Sequence, residues 1–292
     1  MQIIDAHIHF SNIDSFKKTA MNVSHVNYSK KGLQKEMKEG NIKLAIGMGV
    51  TETSQMGFPD HNVTSPMGLD LEKELPQRVA ICPGINPYQL GQKGLDALEG
   101  ELKKIEVVGI KIYLGYYPYY AYDPIYQPVY DLAATYKVPV VFHTGDTYSE
   151  RGLLKYAHPL TLDEVAVSRR DVNFMMAHLG DPWVLTGAEV VYKNDNMFAD
   201  LSGWIVGGKE ELDAKSKGNF LDHIRHALTF CDHYEKLLFG SDWPLAPIKD
   251  YANFIGDLIP SKHLENVFYQ NAIRMFPKIE KILKGKLPNQ RV

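Results

Sequence analysis

The sequence predicts an α/β fold, a (β/α)8 barrel of the TIM type, and three observations carry that expectation. Eight short apolar runs recur along the 292 residues, starting about 24 to 40 residues apart. Several of them are apolar on both faces, as strands covered inside and outside a barrel are. The polar residues that interrupt them fall at their C-terminal ends, the rim where such barrels place their chemistry.

The runs span 3–10, 42–48, 79–85, 107–114, 138–143, 172–178, 197–201 and 237–240. In the first, successive side chains alternate between faces, which places Asp5, His7 and His9 on one side and Ile4, Ala6 and Ile8 on the other. Each gap has room for one helix and two loops, the size of a βαβ unit with parallel strands. Eight such units close into a barrel of ~250 residues, longer with insertions. An open doubly wound sheet would call for a Gly-rich phosphate turn after the first strand, and His-Phe-Ser-Asn-Ile-Asp stands there instead. After the fourth run, Asp123-Pro124 and Tyr126-Gln127-Pro128 lead into a helix by turn and cap logic. The tail from residue 276, with Lys278, Lys281, Lys284 and Lys286, predicts a terminal basic helix with a loose end. No linker separates two regimes of composition, so residues 1–292 are expected to form one domain.

Composition narrows the function. Hydrophobic residues make up 45% and charged residues 23%, the balance of a soluble globular chain. A net charge of -3 gives no general electrostatic grip on nucleic acid. Cys82 lies in an apolar run and Cys231 in a helical stretch, so both are expected as reduced core residues, and two cysteines exclude a disulfide framework. No run of about 18 apolar residues and no leader pattern occurs, the first motif beginning almost at Met1. A cytoplasmic protein with a small-molecule substrate is expected, with no nucleic-acid or membrane partner, and a homodimer is the default assembly.

His7 and His9 end the first run, Lys111 lies within the fourth, His143 ends the fifth, His178 ends the sixth, and Asp242 follows the eighth. Two neutral imidazoles on one strand face make half of a divalent metal site, although such a pair alone is as readily two ordinary histidines. Four histidines, an aspartate and a lysine gathered at one rim point to metal. Zinc accepts imidazole nitrogen and carboxylate oxygen, and it lowers the pKa of a bound water toward ~7. Manganese or iron uses the same donors, so zinc is the expectation rather than the requirement.

These residues carry a resemblance. Asp-Ala-His-Ile-His from residue 5, Phe-His-Thr-Gly at 142–145, Ala-His-Leu-Gly at 177–180, Phe-Gly-Ser-Asp-Trp-Pro at 239–244 and Asn-Ala-Ile-Arg-Met-Phe at 271–276 resemble the amidohydrolase superfamily. More narrowly they resemble its amidohydrolase-related branch, which includes aminocarboxymuconate-semialdehyde decarboxylase and related decarboxylases, hydratases and lactonases. The resemblance implies that His7, His9, His143 and Asp242 hold one divalent metal. It makes His178 an acid/base beside the bound water, or else a ligand of a second metal, and lets Asp242 couple ligation with proton transfer. Lys111 either binds a substrate anion, pairs within the barrel, or is carboxylated and bridges two metals, as in binuclear relatives.

Around the site, residues 113–124 hold six tyrosines, and Tyr113, Tyr116 and Tyr117 are candidates to line a pocket. Trp243 and Pro244 are expected to stiffen the turn that carries Asp242. Asp200 is read as structural, and Asp5 as bonded to a neighbouring ligand or paired locally. His61, Asp60 and His158 lie in loops within reach of the rim, where the surface or structural reading outweighs the functional one. Arg151, Arg169 and Arg170 are candidate anion binders. The leading function is a metal-dependent hydrolase acting on a small amide, lactone or ester through activated water. The alternative is a carbon–carbon lyase, a non-oxidative decarboxylase of an unsaturated or aromatic carboxylic acid. A metal-binding protein without turnover and a metal-free lactonase rank behind both.

Overall fold

The computed structural model describes residues 1–53, 58, 60–63, 65–69 and 75–285. Lys286 of the basic tail lies outside them. The strands are β1 (Ile3–Ile8), β2 (Ile42–Met48), β3 (Val79–Cys82), β4 (Gly84–Ile85), β5 (Ile110–Ile112), β6 (Val140–Phe142), β7 (Phe174–Met176), β8 (Met197–Asp200) and β9 (Leu237–Leu238). Every strand pairs with its neighbours in parallel, in two arcs, β1-β2-β3 and β4 through β9 in sequence order.

The third apolar run is split into β3 and β4 at Pro83, which has no N–H to give to a ladder. Backbone bonds bridge the break: Ile81 N donates to Glu106 O, Val108 N to Ile81 O and Lys111 N to Pro83 O, at 2.8, 2.9 and 2.8 Å. The other seam is joined the same way. Ala6 N donates to Phe239 O and Asp242 N to His7 O, both at 2.9 Å, so the chain after β9 lies against β1. The result is a (β/α)8 barrel.

Strand alternation sorts the apolar residues into two layers. Ile4, Leu44, Val108, Val141, Met175 and Phe198 meet inside the ring, and Met275, Phe276 and Ile279 join them from the C-terminal helices. Ile110, Ile112, Val140, Phe142 and Phe174 face the surrounding helices. The strict alternation expected of the first run fails at a register shift between Asp5 and Ile8. Ile4 and Ala6 belong to the inner layer while Ile8 belongs to the outer one. Lys278 secures the closing segment by donating to the carbonyls of Leu102 (2.6 Å) and Val107 (2.9 Å).

Helices follow local signals. Ser29 caps helix Lys30–Glu39 by accepting from Gly32 N at 3.0 Å, and its apolar stripe buries Leu33 and Met37. Helix Gln127–Tyr136, expected from its prolines, carries Pro128 in its first turn and buries Val129, Tyr130 and Ala133. Cys82 and Cys231 are buried free thiols. Among the described residues, no helix is long and apolar enough to cross a membrane.

Candidate functional site

Strand ends bring His7, His9 and Asp242 together. Asp242 Oδ1 stands 3.1 Å from His9 Nε2 and 3.6 Å from His7 Nε2. All three residues are buried, and their candidate ligand atoms lie within 4.8 Å of one another. His7 Nε2 has no hydrogen-bond partner, and Asp242 Oδ1 has only the 3.1 Å contact with His9 Nε2, which falls short of a well-formed hydrogen bond. A buried polar atom left without a partner costs about 1–3 kcal/mol, so atoms this poorly satisfied that converge on one point suit a cation that would satisfy both. The donor set, imidazole nitrogens and a carboxylate, fits a divalent metal ion.

Two supports hold that set. Asp242 sits at φ +57°, a left-handed conformation that aspartate tolerates better than most residues. Burial alone would raise its pKa, but the contact with His9 and the fields of His178 and His7 outweigh it and hold the carboxylate well below its usual range. His7 is fixed from behind: Asp200 Oδ2 lies 2.7 Å from its Nδ1. Burial pushes the His7 pKa down to about 4 against the pull of Asp200, so the ring is neutral at pH 7. A proton on Nδ1, shared with Asp200, leaves the Nε2 lone pair for a metal.

Asp200, read from sequence as structural, therefore acts on a candidate ligand. Its Oδ1 also accepts from His178 N (3.0 Å), Ser202 N (3.1 Å) and Ser202 Oγ (2.5 Å). His7, His178 and Asp200 form a second group at metal-ligand spacing. The Ser202 hydroxyl already bonds within it, 2.9 Å from His178 Nδ1 and 3.3 Å from His7 Nδ1. That group is a hydrogen-bonded support.

His178 and Leu179 both adopt left-handed backbone, φ +62° and +49°, at the end of β7. Trp204 Nε1 donates to His178 O at 2.9 Å. Gly203, at φ +75°, passes so close that a Cβ there would lie 2.5 Å from His178 Nδ1 and 3.0 Å from Asp242 Oδ2. His143 is placed beside the three-residue group, not in it. Its Nε2 is 2.9 Å from Asp146 O, and its ring centroid is 5.2 Å from that of His178.

A cavity of about 460 Å³ opens over these residues. His9, His143, His178 and Asp242 line it, with Tyr113, Tyr116, Phe16, Phe58, Tyr148 and Trp204 as aromatic walls. This layout, rim residues in barrel order around one cavity, agrees with the comparison that decides the family: an amidohydrolase profile matches residues 4–278. The chain belongs to the amidohydrolase family.

Solved structures resemble this amidohydrolase in fold. An uncharacterized TIM-barrel protein from Bordetella bronchiseptica shares 16% identity, covering 96% of this chain and 100% of that chain, with a TM-score of 0.67. A 2,6-dihydroxybenzoate decarboxylase from Rhizobium shares 14%, covering 95% and 99%, at 0.64. A probable 2-pyrone-4,6-dicarboxylic acid hydrolase from Acinetobacter baumannii, solved with citric acid bound, shares 16%, covering 95% and 100%, at 0.62. No curated protein matches the chain significantly. The chain is an enzyme of the amidohydrolase type, and its histidine and aspartate groups are able to hold a metal ion.

The remaining expected residues divide. Tyr113 and Tyr116 reach the amidohydrolase cavity, whereas Tyr117 packs against Phe58 and Tyr88 behind it. Lys111 was open to three readings: at a substrate anion, paired within the barrel, or carboxylated between two metals. It is fully buried and absent from the cavity lining, its Nζ without a hydrogen bond and 5.3 Å from the Tyr113 ring centroid. It points into the ring because it pairs with Val141, whose neighbours Val140 and Phe142 face outward. Burial pushes its pKa down to about 8. Asp5 accepts from Ser241 N, Ser241 Oγ and His7 N, tying β1 to the turn before Asp242. Trp243 is buried, and its Nε1 donates to Glu36. His61 packs on Tyr88, and His158 on Trp183. Arg169 pairs with Asp131 and Asp171. Arg170 bonds to Asn194 and Asn196. Sequence reasoning missed Ser202, Gly203, Trp204, Phe16 and Phe58. Only the Ser-Gly-Trp that follows the seventh run offered a signal, as a polar and flexible break at the rim.

Proposed function

We propose that the chain is a metal-dependent hydrolase that adds water to the carbonyl of a small amide, lactone or ester. His7, His9 and Asp242 hold one divalent ion, with zinc the best match to these donors. The observation that carries this reading is the convergence of buried, incompletely satisfied atoms, His7 Nε2 and Asp242 Oδ1, beside His9 Nε2 at a cavity. When bound there, the ion supplies a nucleophile at neutral pH by acidifying a coordinated water, and it polarises the acyl oxygen.

The chain's own residues do the rest. Ser202 engages His178 at Nδ1, so Nε2 is the atom that takes the water proton and returns it to the leaving group. The new carbon–oxygen bond forms as the acyl bond to nitrogen or oxygen breaks, and the proton leaves with that fragment. The aromatic walls exclude bulk water and hold the substrate. His143 borders the same space, and its Nε2 bond to Asp146 O fixes the ring and leaves Nδ1 as the atom it would offer as a fourth ligand.

Decarboxylation, the alternative, wants a cation to orient the departing carboxylate. Lys111, the lysine within the ring, does not line the cavity, and Lys215, which does, is paired with Glu211 at 3.0 Å, which favours hydrolysis. The test incubates metal-loaded enzyme with aryl esters, lactones and amides, and in parallel with aromatic acids while CO2 is monitored. Hydrolysis that disappears on chelation is expected. CO2 release without any hydrolysis overturns the reading.

A further inference from the structure

Away from the proposed ion, the charged side chains that line the cavity are mostly of one sign. Among its described lining residues, Glu52, Asp146, Asp181 and Asp242 are acidic and Lys215 is the basic one. Lys215 is already engaged, with Nζ 3.0 Å from Glu211 Oε1 and 4.9 Å from the Phe220 ring centroid. Asp242 faces the proposed ion, but the other three carboxylates do not. Glu52 accepts from the backbone N–H groups of Asp14 (3.0 Å) and Phe58 (3.1 Å), and Asp146 from that of Thr147 (2.9 Å). Neutral donors hold a carboxylate in place without cancelling its charge. Asp181 shares a 3.1 Å contact with His223 Nε2.

Two further features point to a bound molecule. Phe16, Phe58, Tyr148 and Trp204 line the cavity, and aromatic ring faces attract cations. Tyr113 is 3% exposed, lines the same cavity and has a hydroxyl with no partner, a hydrogen bond on offer to whatever binds. Asp146 is exposed and Glu52 and Asp181 are half-buried, so their negative field lies at the mouth of the cavity, where salt weakens it and where it opposes an entering ligand of the same sign.

We infer that the cavity selects its substrate by charge. It takes an aromatic or similarly apolar acyl compound whose end distal to the scissile carbonyl is cationic, an ammonium in kind. A neutral end is tolerated, and a carboxylate or phosphate is rejected. The inference rests on the hydrolytic reading only for what happens at the carbonyl.

The test separates binding from turnover. The holoenzyme is titrated, by quenching of tryptophan fluorescence, with three non-hydrolysable ketones of one shape: 4-(trimethylammonio)acetophenone, acetophenone and 4-acetylbenzoate. The cation is expected to bind tightest and the carboxylate weakest, with a spread of about tenfold or more at low salt that narrows at high salt. Asp146→Asn, which keeps an acceptor for Thr147 N, is expected to narrow the spread. Equal or tighter binding of 4-acetylbenzoate, a ranking indifferent to salt, or no binding by any of the three overturns the inference. The matching phenyl acetates are then assayed, and kcat/KM is expected in the same order. No hydrolysis alongside the expected ketone ranking overturns the hydrolytic reading and supports the charge selection.

Discussion

Asp200 Oδ2 lies 2.7 Å from His7 Nδ1, with both side chains at 0% exposure. This contact ties the end of β8 to β1 across the barrel and turns His7 Nε2 toward Asp242. Burial raises the Asp200 pKa, but the charge and hydrogen bond of His7 outweigh it and hold the carboxylate well below its usual range. A carboxylate behind a ligating histidine fixes tautomer and orientation, and its loss typically weakens metal binding by about 10–100-fold. Asp200→Ala is therefore expected to lose affinity on that scale in competition against a chromophoric chelator, and Asp200→Asn to fall between it and the native chain. An unchanged affinity in Asp200→Ala contradicts the role.

His178 separates ligation from proton transfer. Its Nδ1 belongs to Ser202, and it is outside the group formed by His7, His9 and Asp242. His178→Ala is expected to keep its metal and lose activity by about 10²–10⁴-fold. Loss of the metal along with activity would make His178 a ligand instead.

Gly203 tests how tightly the site is built. A methyl group at this position meets His178 Nδ1 and Asp242 Oδ2, at a φ that side chains rarely adopt. Gly203→Ala is expected to cost about 1–3 kcal/mol of stability in urea titration and to lower kcat more than KM rises. A variant with native stability and native kcat refutes this packing.

Lys111 yields a pH dependence. Its folded pKa, about 8, lies below its ordinary value of 10.5 because of burial. Between those values the folded chain binds fewer protons than the unfolded one, so this group makes stability rise with pH across that window. Below about pH 8 the cost of burying the ammonium is felt in full. Lys111→Met removes no hydrogen bond, since Nζ makes none. In chelator-treated protein it is expected to gain on the order of 3 kcal/mol at pH 7, an advantage that fades as pH approaches 10.5. Urea melts at pH 7 and pH 10 measure the difference. A gain that is equal at both pH values, or a loss at pH 7, contradicts it.

The rim residues were legible because a polar residue at the end of an apolar run has one destination in a parallel barrel. His7, His9, His143, His178 and Asp242 all gather at one end of the barrel on that ground alone. What was hidden depends on tertiary pairing. Asp200 and His7 are 193 positions apart, and nothing near Asp200 announces its partner. The register shift between Asp5 and Ile8 leaves no mark in a run that alternates well on paper. Phe16 and Phe58 reach the cavity from loops, whose course periodicity does not encode. Pro83, by contrast, stood in plain view within the third run and broke its strand.

The metal content of purified protein tests the central claim most directly. Native protein, His7→Ala and Asp242→Ala are dialysed side by side against trace divalent metals and analysed by mass spectrometry for bound ion. The account predicts about one ion per native chain and its loss from both variants, with folding checked by circular dichroism. Full retention of the ion in both variants, or native protein that binds none, contradicts it.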